Sequence, residues 1–127
     1  MSLAICVVVY KPNPFELENL KQIEANGHIV YFFLNGFIEQ SFTQAKIEKS
    51  HKNLGLSKAM NRLFERAFND GAKSVLFLDQ DTKINFLSFN KKVKYLKQEV
   101  ENEGLVSLWA TQSKKSHQIF INSGLIV

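Results

Sequence analysis

Three short runs in this chain are apolar at nearly every position, and turn-forming residues follow each one directly. Leu3 to Tyr10 (LAICVVVY) breaks at Lys11-Pro12-Asn13-Pro14, His28 to Leu34 (HIVYFFL) closes at Asn35-Gly36, and Ser74 to Leu78 (SVLFL) runs into Asp79-Gln80-Asp81-Thr82. Continuous rather than alternating hydrophobicity over strand length predicts strands covered on both faces, as in a parallel sheet. Helical signals lie between them. Asn13 predicts an N-cap, with Pro14 at the first helical position and Glu16 completing a capping box. That helix carries Phe15, Leu20 and Ile23 towards one side and stops at Asn26-Gly27. The strongest helical pattern is Leu56, Ala59, Met60, Leu63, Phe64, Ala67 and Phe68, an apolar stripe that Gly71 ends as a C′ residue.

The stretch from Phe37 to Ser50 has the weakest pattern, and the alternation of Ala45 and Ile47 predicts a short strand there. Beyond Thr82, a basic helix is expected from about Phe86 to Val100, with strands at Leu105 to Ala110 and Ile119 to Val127. This alternation of strands and helices predicts an α/β fold, a mostly parallel sheet flanked by helices. There are no internal repeats, low-complexity tracts or linker-like segments. The sequence stops inside an apolar strand-like run, Ser123-Gly124-Leu125-Ile126-Val127. The expectation is therefore one domain over residues 1–127, cut or evolved from something longer. Such a domain is expected to form homo-oligomers through the apolar face the missing part would have covered.

Composition narrows the function. The chain has 127 residues, 45% of them hydrophobic and 22% charged, which suits one soluble globular domain with a real core. The single cysteine, Cys6, lies within the first apolar run, so a disulfide framework is excluded and a reduced, cytoplasmic setting is expected. No apolar run reaches the roughly 18 residues of a membrane span, and no basic n-region precedes an h-region. The net charge of +4 is concentrated in Lys91, Lys92, Lys94 and Lys97, with Lys114 and Lys115 further on. A solvated helix face accounts for such a run, while contact with phosphates or peripheral association with the inner face of a membrane stays open. Nucleic acid is not an expected partner, because clustered arginines and interleaved exposed aromatics are both missing. His28, His51 and His117 are too scattered for a metal site, and Trp109 reads as a core residue or, alternatively, a sugar-stacking platform.

The chemistry-bearing element is Asp79-Gln80-Asp81, at the end of the third apolar run. Ligands of open α/β sheets bind beyond the carboxyl ends of the strands. Two carboxylates one residue apart at such an end suit Mg²⁺ or Mn²⁺, hard cations that keep waters and accept phosphate oxygens. Alternatively, Asp79 caps the strand and Asp81 N-caps the next segment. The aspartyl-nucleophile motif of haloacid-dehalogenase-like phosphatases, D-x-D-x-T/V, is not met, because Lys83 holds its fifth position and Thr82 falls one place early.

Four segments in order carry a resemblance. Leu3 to Asn13 resembles a strand and turn with the pattern V-x-x-Y-N-P, and Asn53-Leu54-Gly55-Leu56-Ser57-Lys58-Ala59-Met60-Asn61 resembles N-x-G-x-x-x-A-x-N. Val75 to Thr82 (VLFLDQDT) resembles L-L-L-D-Q-D-S/T, and Asn122-Ser123-Gly124 resembles a later S-G segment. Together they resemble the N-terminal, nucleotide-sugar-binding half of GT-A glycosyltransferases of family 2, in particular the rhamnosyltransferase-like branch. That resemblance implies a divalent cation and the donor diphosphate at Asp79 and Asp81, with Asp81 the more direct ligand. It implies contact of Tyr10 with the nucleotide base, a close approach of nucleotide to the backbone at Gly55, and donor-pocket positions for Asn53 and Asn61. Each of these has a plainer reading: Tyr10 as a rim aromatic, Asn53 as a turn residue, Gly55 as a flexible lead into the helix. Lys58 or Arg62 could pair with phosphate or simply face solvent.

The chain departs from the family at three places. The aspartate usual at the end of the second strand is replaced by Leu34, the asparagine after the tyrosine by Lys11, and no acid after Asp81 is placed to serve as catalytic base. Two functions are therefore expected. One is transfer of a sugar, by family habit from dTDP-rhamnose, to a cell-surface glycan or lipid-linked acceptor. The other is a truncated or degenerate donor-binding domain, a subunit or remnant without independent catalysis.

Overall fold

The computed structural model describes residues 3–36, 42–82, 87, 90 and 91, and the backbone of residues 105–112 and 115–122. In chain order the elements are β1 (Leu3–Val9), α1 (Pro14–Glu24), β2 (Ile29–Asn35), β3 (Lys46–Ser50), α2 (Leu56–Asn69), β4 (Ser74–Leu78), β5 (Leu105–Gln112) and β6 (Lys115–Asn122). The strands form one sheet in the order β3-β2-β1-β4-β6-β5. β3, β2, β1 and β4 are parallel, while β6 is antiparallel to both β4 and β5. The expected α/β architecture is thus present.

Strand pleating sends alternate residues to opposite faces, which explains why three strands are apolar throughout. On one face, Leu3, Ile5, Val7 and Val9 of β1 pack with Val30, Phe32 and Leu34 of β2 and with Leu20 and Ile23 of α1. On the other, Ala4, Cys6, Tyr31, Phe33 and Val75 meet Ala59, Leu63, Phe64 and Ala67 of α2. Burying a side chain such as Leu63 or Ile23 contributes about 1.5–3 kcal/mol. The capping box is as expected: Asn13 Oδ1 accepts from the Glu16 N–H at 2.8 Å, and Glu16 Oε1 accepts from the Asn13 N–H at 2.9 Å. Gly71, at φ 107°, takes the left-handed turn that ends α2.

Two apolar positions do not face the core as the periodicity predicted. Phe15 is 81% exposed and Leu56 55% exposed. Both belong to the first turn of a helix, where spacing continues the stripe but little of the sheet lies beneath. β2 runs one residue further than expected, so Asn35 is its last residue rather than the start of a turn. β6 begins at Lys115, well before the expected Ile119, and forms a hairpin with β5. Most of the expected Phe86–Val100 helix, and Ser123-Gly124 with the end of the chain, lie outside the described residues. Among the described residues, no helix is long and apolar enough to cross a membrane.

Strand order fixes where a ligand would sit. From β1 the chain steps to β2 and β3 in one direction, and α2 then returns it to β4 on the far side of β1. The crevice between the carboxyl ends of β1 and β4 is a topological switch point, where loops leave in opposite directions.

Candidate functional site

Three loops meet at these carboxyl ends. They are Tyr10–Asn13 after β1, His51–Gly55 leading into α2, and Asp79–Thr82 after β4. Asp79 through Thr82 form a turn closed by the Thr82 N–H donating to the Asp79 carbonyl at 3.1 Å. Thr82 is 1% exposed, whereas Asp79 and Asp81 are exposed. The turn is fixed from two directions. From α1, Asn19 Nδ2 donates to the carbonyls of Thr82 at 2.5 Å and Gln80 at 3.4 Å. Towards β1, Gln80 Oε1 accepts from the Tyr10 N–H at 2.6 Å while Gln80 Nε2 donates to the Tyr10 carbonyl at 2.9 Å. The Gln80 amide therefore spans the switch point like an extra rung beyond the last β1–β4 pair, Val7 with Leu78.

Tyr10 stands at the rim of the crevice, 42% exposed, with the Lys11 ammonium 5.4 Å from its ring centroid. Lys11 itself has a positive φ of 40°, unusual for a residue with a Cβ.

The α2 loop is organised by Asn35. This side chain, 3% exposed, accepts from the Leu54 N–H at 2.8 Å and donates to Asn53 Oδ1 at 2.8 Å. Asn53 Oδ1 also accepts from the Gly55 N–H at 2.8 Å. The two main-chain donors thereby set both amides in one orientation. Gly55 has φ 84°, and a Cβ there would meet no atom within 4 Å, so backbone conformation rather than crowding within the protein favours glycine. No side chain caps the N-terminus of α2. Lys58 is exposed in its first turn, and Asn61, two residues past buried Ala59, is on the exposed side of the helix.

Leu34, which stands where the resemblance implies an aspartate, is 3% exposed and packs in the α1-side core. Its strand neighbour Asn35 faces the other way and holds the Asn53–Gly55 loop.

The donor set fits a hard divalent cation in kind, since Asp79 and Asp81 offer carboxylate oxygens at an exposed turn beside the switch point. Among the described residues, no group of three His, Cys, Asp or Glu side chains gathers to form a complete protein cage. A cation here would need oxygens from water or a bound diphosphate as further ligands.

Arg62, one of two candidate phosphate partners, lies elsewhere. It lines a shallow surface depression with Glu48, Glu65, Arg66, Asn69 and Asp70. Charges there engage one another: Arg66 meets Glu48 at 3.4 Å and Asp70 at 3.8 Å, and Lys46 meets Asp70 at 3.4 Å. Cys6 is buried in the core, and that burial pushes its thiol up to about 12, far from a nucleophile. His28 is half-buried and pairs with Asn90 Oδ1 at 2.9 Å, His51 is exposed, and Trp109 and His117 are on β5 and β6. Sequence reasoning missed Asn19, Asn35 and Gln80, neutral amides whose partners stand up to 70 positions away.

No protein-family model and no curated protein matches this chain. Solved structures do. A fragment of the S. aureus glycosyltransferase TarS, residues 1–349, superposes with a TM-score of 0.63 at 17% identity, covering 83% of this chain and 34% of that one. A protein of Desulfovibrio desulfuricans G20, provisionally assigned as a nucleotide-diphospho-sugar transferase, superposes with a TM-score of 0.62 at 12% identity. That match covers 100% of this chain and 66% of the other. The chain thus spans about a third of one neighbour and just under two thirds of the other. At these identities the likeness is one of architecture: the chain has the GT-A-like α/β fold of nucleotide-diphospho-sugar transferases.

Proposed function

We propose that this chain is the donor-binding part of a GT-A glycosyltransferase, taking a nucleotide-diphospho-sugar in the crevice between β1 and β4. The observation that carries the reading is the meeting of the Asp79–Asp81 turn with Tyr10 across the switch point of a fold shared with such transferases. In this reading Tyr10 lies against the base, the Asn53–Gly55 loop borders the nucleoside, and Asp79 and Asp81 hold Mg²⁺ or Mn²⁺. Such a cation supplies charge neutralisation of the departing diphosphate. The protein's own part is to hold the donor at the rim and keep both carboxylates at one exposed turn. The rhamnosyltransferase-like form of Val75 to Thr82 favours dTDP-rhamnose as donor and a cell-surface polysaccharide as destination.

A specific observation favours a second reading, a donor-binding domain without independent catalysis. Leu34 is buried where a nucleoside-binding carboxylate is usual, and Asn35 beside it is engaged in holding a loop. The acceptor site and catalytic base would then belong to another part or partner.

Calorimetric titration of dTDP and UDP, with and without Mn²⁺, separates these outcomes. Cation-dependent binding that disappears in Asp81→Ala supports a donor site. No binding at millimolar nucleotide leaves the fold without the function.

A further inference from the structure

Gln80 lies between the two proposed cation ligands in sequence, and its side chain reaches across to Tyr10. It holds both main-chain hydrogen-bonding groups of Tyr10, and the two contacts fix its amide in one orientation, because an N–H can only donate and a carbonyl only accept. The next residue, Lys11, keeps a left-handed conformation at φ 40° that a residue with a Cβ adopts only where its surroundings hold it. Asn19 grips the same turn from α1 through the carbonyls of Gln80 and Thr82. The turn bearing Asp79 and Asp81 and the turn bearing Tyr10 are therefore mechanically one unit, joined at Gln80.

We infer that Gln80 is a positioning residue that couples cation binding at Asp79 and Asp81 to nucleoside recognition at Tyr10, an inference that rests on the donor-site reading above. A cation that orders the Asp79–Thr82 turn also orders the Tyr10–Lys11 peptide through the Gln80 amide, so cation and nucleotide strengthen each other's binding. Linkage makes that strengthening equal in both directions.

The test is a Mg²⁺ titration of the ¹⁵N-labelled full chain without nucleotide, followed by dTDP titrations with and without Mg²⁺. In the wild type, Mg²⁺ is expected to shift the amide resonances of residues 79–82 and also those of Tyr10 and Lys11. In Gln80→Ala and in the length-preserving Gln80→Met, the shifts at residues 79–82 persist and those at Tyr10 and Lys11 disappear. The factor by which Mg²⁺ tightens dTDP falls at least about fivefold, the lower bound for losing two hydrogen bonds. A purely structural role would weaken dTDP equally with and without Mg²⁺. Shifts at Tyr10 that survive in both variants, or an unchanged Mg²⁺ factor, overturn the coupling and leave the donor-site reading standing. A wild type in which Mg²⁺ shifts nothing at residues 79–82 overturns that reading, and the coupling with it.

Discussion

The two ends of the parallel sheet are held together by different chemistry. Around Tyr31, near the start of β2 and the end of α2, the fasteners are charged. The buried Tyr31 hydroxyl donates to Asp70 Oδ2 at 2.8 Å, Lys46 and Arg66 pair with the same carboxylate, and both cations lie over the Tyr31 ring. Burial, then the bond and charge of Asp70, raise the Tyr31 phenol well above its usual range. At the carboxyl ends, by contrast, neutral amides do the fastening: Asn19, Asn35, Asn53 and Gln80 grip main-chain groups, and Asp79 and Asp81 stand exposed. A carboxylate already surrounded by its own cations has little left to offer a ligand. The proposed donor site lies at the amide-fastened carboxyl ends, whereas the charged depression on α2 is occupied by ion pairs among the protein's own residues.

The largest effect should come from Asp81→Ala, which is expected to lower cation-dependent nucleotide affinity more than about tenfold while unfolding free energy changes within about 0.5 kcal/mol, as usual for an exposed site. Calorimetry and urea denaturation on the same preparation check both halves. A large loss of stability instead would make Asp81 a fastener like Asp70 and break the contrast.

Glu24 is the next test, a carboxylate used as a fastener on buried ground. It is 5% exposed and accepts from the main-chain N–H groups of Thr43, Gln44 and Ala45 at 2.8–3.0 Å. Burial alone would raise its pKa, but the Ala45, Thr43 and Gln44 donors with the Thr43 hydroxyl outweigh that and hold it below the usual 4.5. A depressed folded-state pKa means that this contribution is present above the unfolded value and lost as pH falls through the folded one. Stability should therefore decline on acidification below about pH 4.5, and Glu24→Gln should lose about 1–3 kcal/mol at neutral pH with a flatter acid limb. Urea titrations across pH measure both; an unchanged acid limb in the variant would remove Glu24 from the account.

Tyr31→Phe should have the smallest effect, about 0.5–1.5 kcal/mol for a lost hydroxyl bond, with nucleotide binding unchanged. An altered nucleotide affinity would mean the two ends are not separate.

Much of this molecule can be read from its residues. β1, β2 and β4 announce themselves because burial on both faces demands apolar side chains on both, and α2 because its stripe covers the sheet. The Asn13 capping box is local, with both partners three residues apart. What escaped depends on distance or on ends. Phe15 and Leu56 continue a helical period past the sheet's support, so spacing misplaces them. The antiparallel insertion of β6 between β4 and β5 is a matter of strand order, about which hydrophobic period says nothing. Asp79 and Asp81 were visible as an acidic pair after a buried strand, but the amides that place their turn were not. Gln80 reaches across 70 positions and Asn19 across 63, and nothing in the neighbourhood of either marks it as an anchor.

The most direct measurement is paramagnetic broadening of amide resonances by substoichiometric Mn²⁺ in the presence of dTDP. A cation held at Asp79 and Asp81 should give selective loss of signals from residues 79–82 and from Tyr10, with those of Glu48, Glu65 and Asp70 retained. Broadening centred on Glu48, Glu65 and Asp70, or spread evenly over the surface, would contradict it.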